Sequence, residues 1–121
     1  MAHEQAATAK SRSIKNAHIF TKQFEGLDSK QLRTIADSLR NKWPSAGIVI
    51  ASVNDSTVSI VSAVSKDLTS KVHAGKLVGE VAKAVGGKGG GRPDMAEGAG
   101  KDATSLSSAL ETVYEKVEAL L

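Results

Sequence analysis

Gly47 to Val53 reads GIVIASV, Asn54-Asp55-Ser56 follows, and Thr57 to Ser65 reads TVSIVSAVS. The first run is apolar along its length, as in a strand covered on both faces. The second is β-branched and alternates in part. Asn-Asp-Ser between them has turn composition, and so short a connection makes an antiparallel hairpin. A buried hairpin in the middle of the chain puts a sheet at the centre of the fold.

Upstream, Ile14 to Phe24 contains Ala17-His18-Ile19-Phe20-Thr21, which predicts a first strand. A helix follows. Asp28 stands as N-cap with Gln31 three residues on, a capping box, and Leu27 and Leu32 fit a hydrophobic staple. Leu32, Ile35, Ala36, Leu39 and Trp43 recur at helical spacing, and Pro44 ends the helix. Lys30, Arg33 and Arg40 fall on another face, as solvated charges or phosphate contacts. Residues 1–12 show no buried period and read as a flexible tail or the stub of an upstream helix, leaving 13–121 as the globular domain.

Downstream, Asp67 is placed to cap a short turn through Leu68 to Val72. A helix from about Gly75 to Val85 follows, with Leu77, Val78, Val81, Ala82 and Val85 on one face, and Gly86-Gly87 end it. A glycine loop comes next. Asp102 then caps a last helix striped by Leu106, Ala109, Leu110, Val113, Tyr114, Val117 and Leu121. The order is strand, helix, strand, strand, helix, glycine loop, helix. It defines an α/β (α+β) single domain, a small mixed sheet of about three or more strands with packed helices.

The 121 residues include only two Phe, one Tyr and one Trp, so aliphatic side chains must build the core. Without cysteine there are no disulfides, thiolate nucleophiles or cysteine metal sites. No apolar run approaches the roughly 20 residues that span a bilayer, so no membrane role and a cytoplasmic or organellar location are expected. The net charge of +3 is unevenly spread: +4 over residues 1–45, +3 over 46–93 and −4 over 94–121. The glycine loop lies at the seam between the basic body and the acidic end, which favours an oriented polyanion contact.

Seven of the eleven glycines lie between Gly86 and Gly100, around Gly86-Gly87-Lys88-Gly89-Gly90-Gly91-Arg92-Pro93-Asp94-Met95. Bare backbone N–H groups with two cations suit phosphate. Backbone packed against backbone needs the same glycines, and both readings stay open. A Walker loop is excluded, because Gly89 follows Lys88 where a hydroxyl is required and a helix precedes the loop. A G-x-G-x-x-G reading fails at Arg92 or at Asp94. His3, His18 and His73 have no metal-ligand spacing, and no catalytic triad or paired-carboxylate motif stands out, so no catalytic residue, metal or cofactor is expected. His18 is expected at a surface or edge, and His73 at a turn or reaching a phosphate.

Lys66 to Gly100, and above all GGKGGGRPDMA from Gly86 to Ala96, resembles the C-terminal (C-Ala) segment of alanyl-tRNA synthetases, in the DHH-associated domain group. The resemblance covers residues 57–121 and is fainter over 14–56. Glu97 departs from the family pattern, which has an amide there. The resemblance implies a non-catalytic module that contacts the tRNA elbow and assists aminoacylation and editing. It implies as partners a tRNA for alanine and the remaining domains of a parent ligase, from which this chain is an excised globular part. On this reading Lys88 and Arg92 contact phosphate, supported by the backbone of Gly87, Gly89, Gly90 and Gly91. Lys76, Lys83 and His73 extend the patch, and Pro93, Asp94 and Met95 fix the loop. The alternatives are a dimerisation or protein-interaction module using the last helix, weak homodimerisation included, and the substrate-binding domain of a DHH phosphoesterase. DNA binding stays open, since phosphate contacts carry no sequence information.

Overall fold

The hairpin of residues 47–65 is the middle of a six-stranded sheet. The computed structural model describes residues 9–14, 17–43, 45–55 and 57–121. In chain order the elements are β1 (Ala9–Ile14), β2 (Ala17–Glu25), α1 (Ser29–Arg40), β3 (Ala46–Asn54), β4 (Thr57–Val64), α2 (Ala74–Ala84), β5 (Lys88–Gly91), β6 (Met95–Gly100) and α3 (Leu106–Leu120). Strand order is β1-β2-β3-β4-β6-β5. β2 and β3 are parallel, joined through α1, and every other pair is antiparallel. In the central hairpin Ile50 sits opposite Val61, and Asp55 turns the chain at φ 56°, a left-handed conformation that Asp tolerates.

Alternation along the strands sorts the core into two layers. Ile48 and Ile50 of β3 with Val61 and Ala63 of β4 face α1, where Leu32 and Ala36 meet them. Val49 and Ala51 with Val58 and Ile60 face α2 and α3, against Leu77, Val78, Val81, Leu110, Val113 and Tyr114. The molecule is a three-layer sandwich with one helix on one face of the sheet and two on the other.

The capping box at α1 is formed as read. Asp28 Oδ1 accepts from the Gln31 N–H at 2.8 Å, and Gln31 Oε1 accepts from the Asp28 N–H at 3.0 Å. Leu27 packs on the same cluster as the fully buried Leu32, completing the staple. Asn41 is the C-cap, and Pro44, expected to end the helix, lies outside the described residues. On the other face Tyr114 ties α3 to β2 through a buried 2.9 Å hydrogen bond between its hydroxyl and that of Thr21.

Three expectations are corrected. The tail is shorter than 12 residues, because from Ala9 the backbone pairs with β2 as an edge strand, which needs no apolar period of its own; residues 1–8 lie outside the described residues. Asp67 does not cap the following turn: Lys66–Leu68 is a short 3-10 turn without a side-chain cap bond. Asp67 instead accepts a hydrogen bond from the Ser45 hydroxyl, and that bond, with one from Ser65, holds its carboxyl below the usual range. The glycine loop is two strands, β5 and β6.

Candidate nucleic-acid interface

The hairpin starts at the end of α2. Gly86 takes φ 73°, the left-handed position that glycine occupies without strain. The Gly87 N–H reaches Ala82 O at 2.8 Å and the Gly86 N–H reaches Lys83 O at 3.2 Å, the paired bonds of a Schellman cap. The chain then pairs back on itself, Lys88 with Ala99, Gly89 with Gly98, Gly90 with Glu97 and Gly91 with Ala96.

Most of these glycines serve packing. A Cβ on Gly89 would stand 2.5 Å from Val78 Cγ1 and 2.8 Å from Gly98 Cα, and one on Gly98 would stand 2.7 Å from the same Val78 atom. On Gly87 it would stand 1.8 Å from Ala99 O, and on Gly75 of α2 it would stand 2.7 Å from Gly91 O. Helix α2 thus lies directly on the hairpin backbone. Gly90 differs, because a Cβ there would meet nothing within 4 Å. Gly89 faces α2, so Lys88 and Gly90 of β5, with Met95, Glu97 and Ala99 of β6, face the α1 side.

The turn at Arg92-Pro93-Asp94 is held from three sides. Pro93 O accepts from the Ala74 N–H at the start of α2, at 2.9 Å. Asp94 O accepts from the Val64 N–H of β4 at 2.9 Å and from Arg40 Nη1 of α1 at 3.0 Å. Arg40 also pairs with Asp37 and is only 20% exposed, so it is a brace of the turn and not a solvated charge. The Arg92 head stays in solvent, 79% exposed, with Nε 3.6 Å from Asp94 Oδ1. The expectation that Pro93, Asp94 and Met95 fix this segment therefore has a concrete form, with Met95 packed on the α1-side core.

The residues singled out in the sequence fall on two sides of the sheet. Lys88, Gly90 and Arg92 gather at the α1 side or at the tip. Lys76 and Lys83 are exposed on α2, over the opposite face. His73 is the N-cap of α2 but makes no capping bond, and its Nδ1 is buried without a hydrogen-bond partner. Its Cε1 abuts Gly75, beneath the turn. His18 lies in β2, inside the sheet, and its ring stacks on Trp43 with centroids 3.9 Å apart.

Sequence reasoning offered Lys30 and Arg33 as solvated charges or phosphate contacts, but not their place beside the hairpin or the pairing of Arg33 with Glu97. A shallow groove of about 440 Å³ opens between the hairpin and α1, lined by Arg33, Gly90, Gly91, Arg92, Met95 and Glu97. Arg33 Nη1 stands 3.1 Å from Glu97 Oε2. Lys30 and Arg33 line a second hollow of about 380 Å³ that shares Met95 with the first. Arg33 and Glu97 are 64 positions apart in the chain, and no local pattern announces such a pair. The apolar stripe of α3 is spent inside the chain, with Leu106, Leu110, Val113, Tyr114 and Val117 buried. Leu120, 49% exposed, is the large apolar residue left outside among those described.

Among the described residues no group of three or more His, Cys, Asp and Glu is placed to hold a metal ion. No helix among them is long and apolar enough to cross a membrane.

A three-layer sandwich whose sheet ends in a glycine hairpin under a helix defines a class, the DHHA1 domain. The profile of that domain matches residues 16–119, and the chain belongs to this family. Within it the chain is homologous to the C-terminal domain of alanyl-tRNA synthetase, a non-catalytic part of the parent ligase. It is 58% identical over 113 residues to the alanine–tRNA ligase of Solibacter usitatus, and 46% identical over 102 residues to that of Saccharophagus degradans. Those alignments take in 93% and 84% of this chain but 13% and 12% of the ligases, so the chain spans about an eighth of their length. The crystal structure of the C-Ala domain from Aquifex aeolicus alanyl-tRNA synthetase superposes with TM-score 0.84 at 31% identity, covering 90% of this chain and 98% of that one. A DHH domain of a member of the s1p family of ribosomal proteins shares the fold at TM-score 0.62 and 17% identity, covering 98% of this chain and 30% of that one.

Proposed function

We propose that this chain is a tRNA-binding module of an alanyl-tRNA synthetase, gripping the outer corner of tRNA through its phosphate backbone in support of aminoacylation and editing elsewhere in the enzyme. The cytoplasm goes with this reading as its compartment. One observation carries it: Gly90 is the strand glycine of the hairpin that packing does not require, and it lies bare beside Lys88 and Arg92 on the side opposite α2. A side-chain-free strand lets a phosphate approach the backbone closely, and cations at both ends supply charge that a structured RNA rewards. The seat of the turn fixes the backbone from which Arg92 projects.

The test is binding of an alanine tRNA transcript at several salt concentrations. Lys88→Ala with Arg92→Ala is expected to weaken binding and to flatten the salt slope by about 1 per lost contact. Lys76→Ala with Lys83→Ala, over the other face, is expected to change it little. A folded Lys88/Arg92 double variant with unchanged affinity and slope would remove the hairpin from the interface. Weakening only in the Lys76/Lys83 variant would move the contact to α2.

A further inference from the structure

Helix α1 contributes a cation to the hairpin groove, and a carboxylate of the hairpin already occupies it. Glu97 is paired across the strands with Gly90, and both face α1. Arg33 reaches over the groove to Glu97 at 3.1 Å. Both side chains are open to solvent, Arg33 at 55% and Glu97 at 40%. A carboxylate and a phosphate present the same kind of paired oxygens to a guanidinium, and arginine binds either through the same fork. A pair this exposed is weak, so exchange of one anion for the other is easy.

We propose that Arg33 is a further phosphate contact of this domain, and that Glu97 is an internal anion which occupies the Arg33 guanidinium and competes with RNA for it. The proposal rests on the tRNA-binding reading above and deepens it. The groove then has cations on both sides, Arg33 with Lys30 behind it on α1 and Arg92 on the hairpin. Asp37 lines the outer hollow but is paired with Arg40, and Glu97 is the acidic side chain lining the inner groove. An incoming phosphate takes over the Arg33 fork above Gly90, and Glu97 swings to solvent. Glu97 thereby sets affinity below what the cations alone would give, which suits a module that must release its tRNA.

The experiment measures tRNA binding by Arg33→Ala, Glu97→Gln and the double variant across a salt series, with thermal melts to establish folding. Glu97→Gln is expected to bind about two- to fivefold tighter at low salt, the scale of one exposed charge pair. Its salt slope should steepen by less than about 1, because the phosphate contacts are the same and only a competing pair that salt screens is lost. Arg33→Ala is expected to weaken binding, and in its background Glu97→Gln should gain less. If both single variants bind like the parent while Lys88→Ala with Arg92→Ala binds weakly, this proposal falls and the tRNA-binding reading stands. If all of them bind like the parent, both fall. Weaker binding by Glu97→Gln would also overturn it, since Glu97 would then be orienting Arg33 and not competing for it.

Discussion

Replacing Gly89 by alanine separates the two uses of glycine in the hairpin. The new Cβ would lie 2.5 Å from Val78 Cγ1, 2.8 Å from Gly98 Cα and 3.2 Å from Glu97 O. Ordinary contact begins near 3.5 Å, so the side chain of Val78 and the backbone of β6 must both yield. Val78 is fully buried in the larger core and cannot turn aside without disturbing its neighbours. Overpacking of this kind costs about 1–3 kcal/mol. For a chain of this size that is a fall in melting temperature of roughly 4–12 °C. Gly90→Ala is the control. With nothing within 4 Å of its Cβ it should melt within a degree or two of the parent, or slightly above, since alanine restricts the unfolded chain. If Gly90 is where phosphate rests, the same variant should bind tRNA more weakly while staying fully folded. Differential scanning calorimetry with a binding titration reads both. Equal melting temperatures for the Gly89 and Gly90 variants would refute the packing argument. A cycle with Val78→Ala tests it further: the pair should be destabilised by about 1 kcal/mol less than the sum of the singles, and only partly rescued because the Gly98 backbone stays in place.

Three other outcomes follow from the fold. Tyr114→Phe leaves the Thr21 hydroxyl without its 2.9 Å partner in a buried site and should cost about 1–3 kcal/mol, while adding Thr21→Val should recover part of it, both by urea denaturation. Arg40→Ala removes the charged donor to Asp94 O and should cost about 1.5–3 kcal/mol, with faster amide exchange at Arg92 and Val64 next to the loosened turn. Asp67 has a lowered carboxyl, so its contribution to stability is full above the pKa of the unfolded chain and is lost as pH falls through the lower folded value. Ser45→Ala should therefore destabilise at pH 7, and the difference from the parent should vanish in acid melts below the carboxylate range.

Side chains carried what the sequence could say about this fold. The hairpin of β3 and β4 and the capped start of α1 were legible, because β-branched runs, alternation and a capping box are written in neighbouring residues. β5 and β6 were not, because glycine has no side chain to alternate and low strand propensity. Their strand conformation comes from α2 and β4 pressing on them, a tertiary effect. β1 escaped because Ala9 to Ile14, AKSRSI, carries no run of apolar or β-branched residues that would mark a strand. In the site, the cations at Lys88 and Arg92 stood out beside their glycines. The structural task of Arg40 and the meeting of Arg33 with Glu97 depend on where α1 lies on β3 and β4, beside the hairpin, which only the assembled sheet decides.

Val85 O accepts from the Lys101 N–H at 2.8 Å and from the Asp102 N–H at 2.9 Å, and Gly100 is seated against the same residue. The chain leaves α2 at Val85 and returns to that point fifteen residues later, so the hairpin is a lever clamped at its root. A load applied at Arg92 cannot be absorbed by slack in a connecting loop. It passes to the end of α2 and the start of α3 together, and a partner that grips the tip is felt by both helices at once.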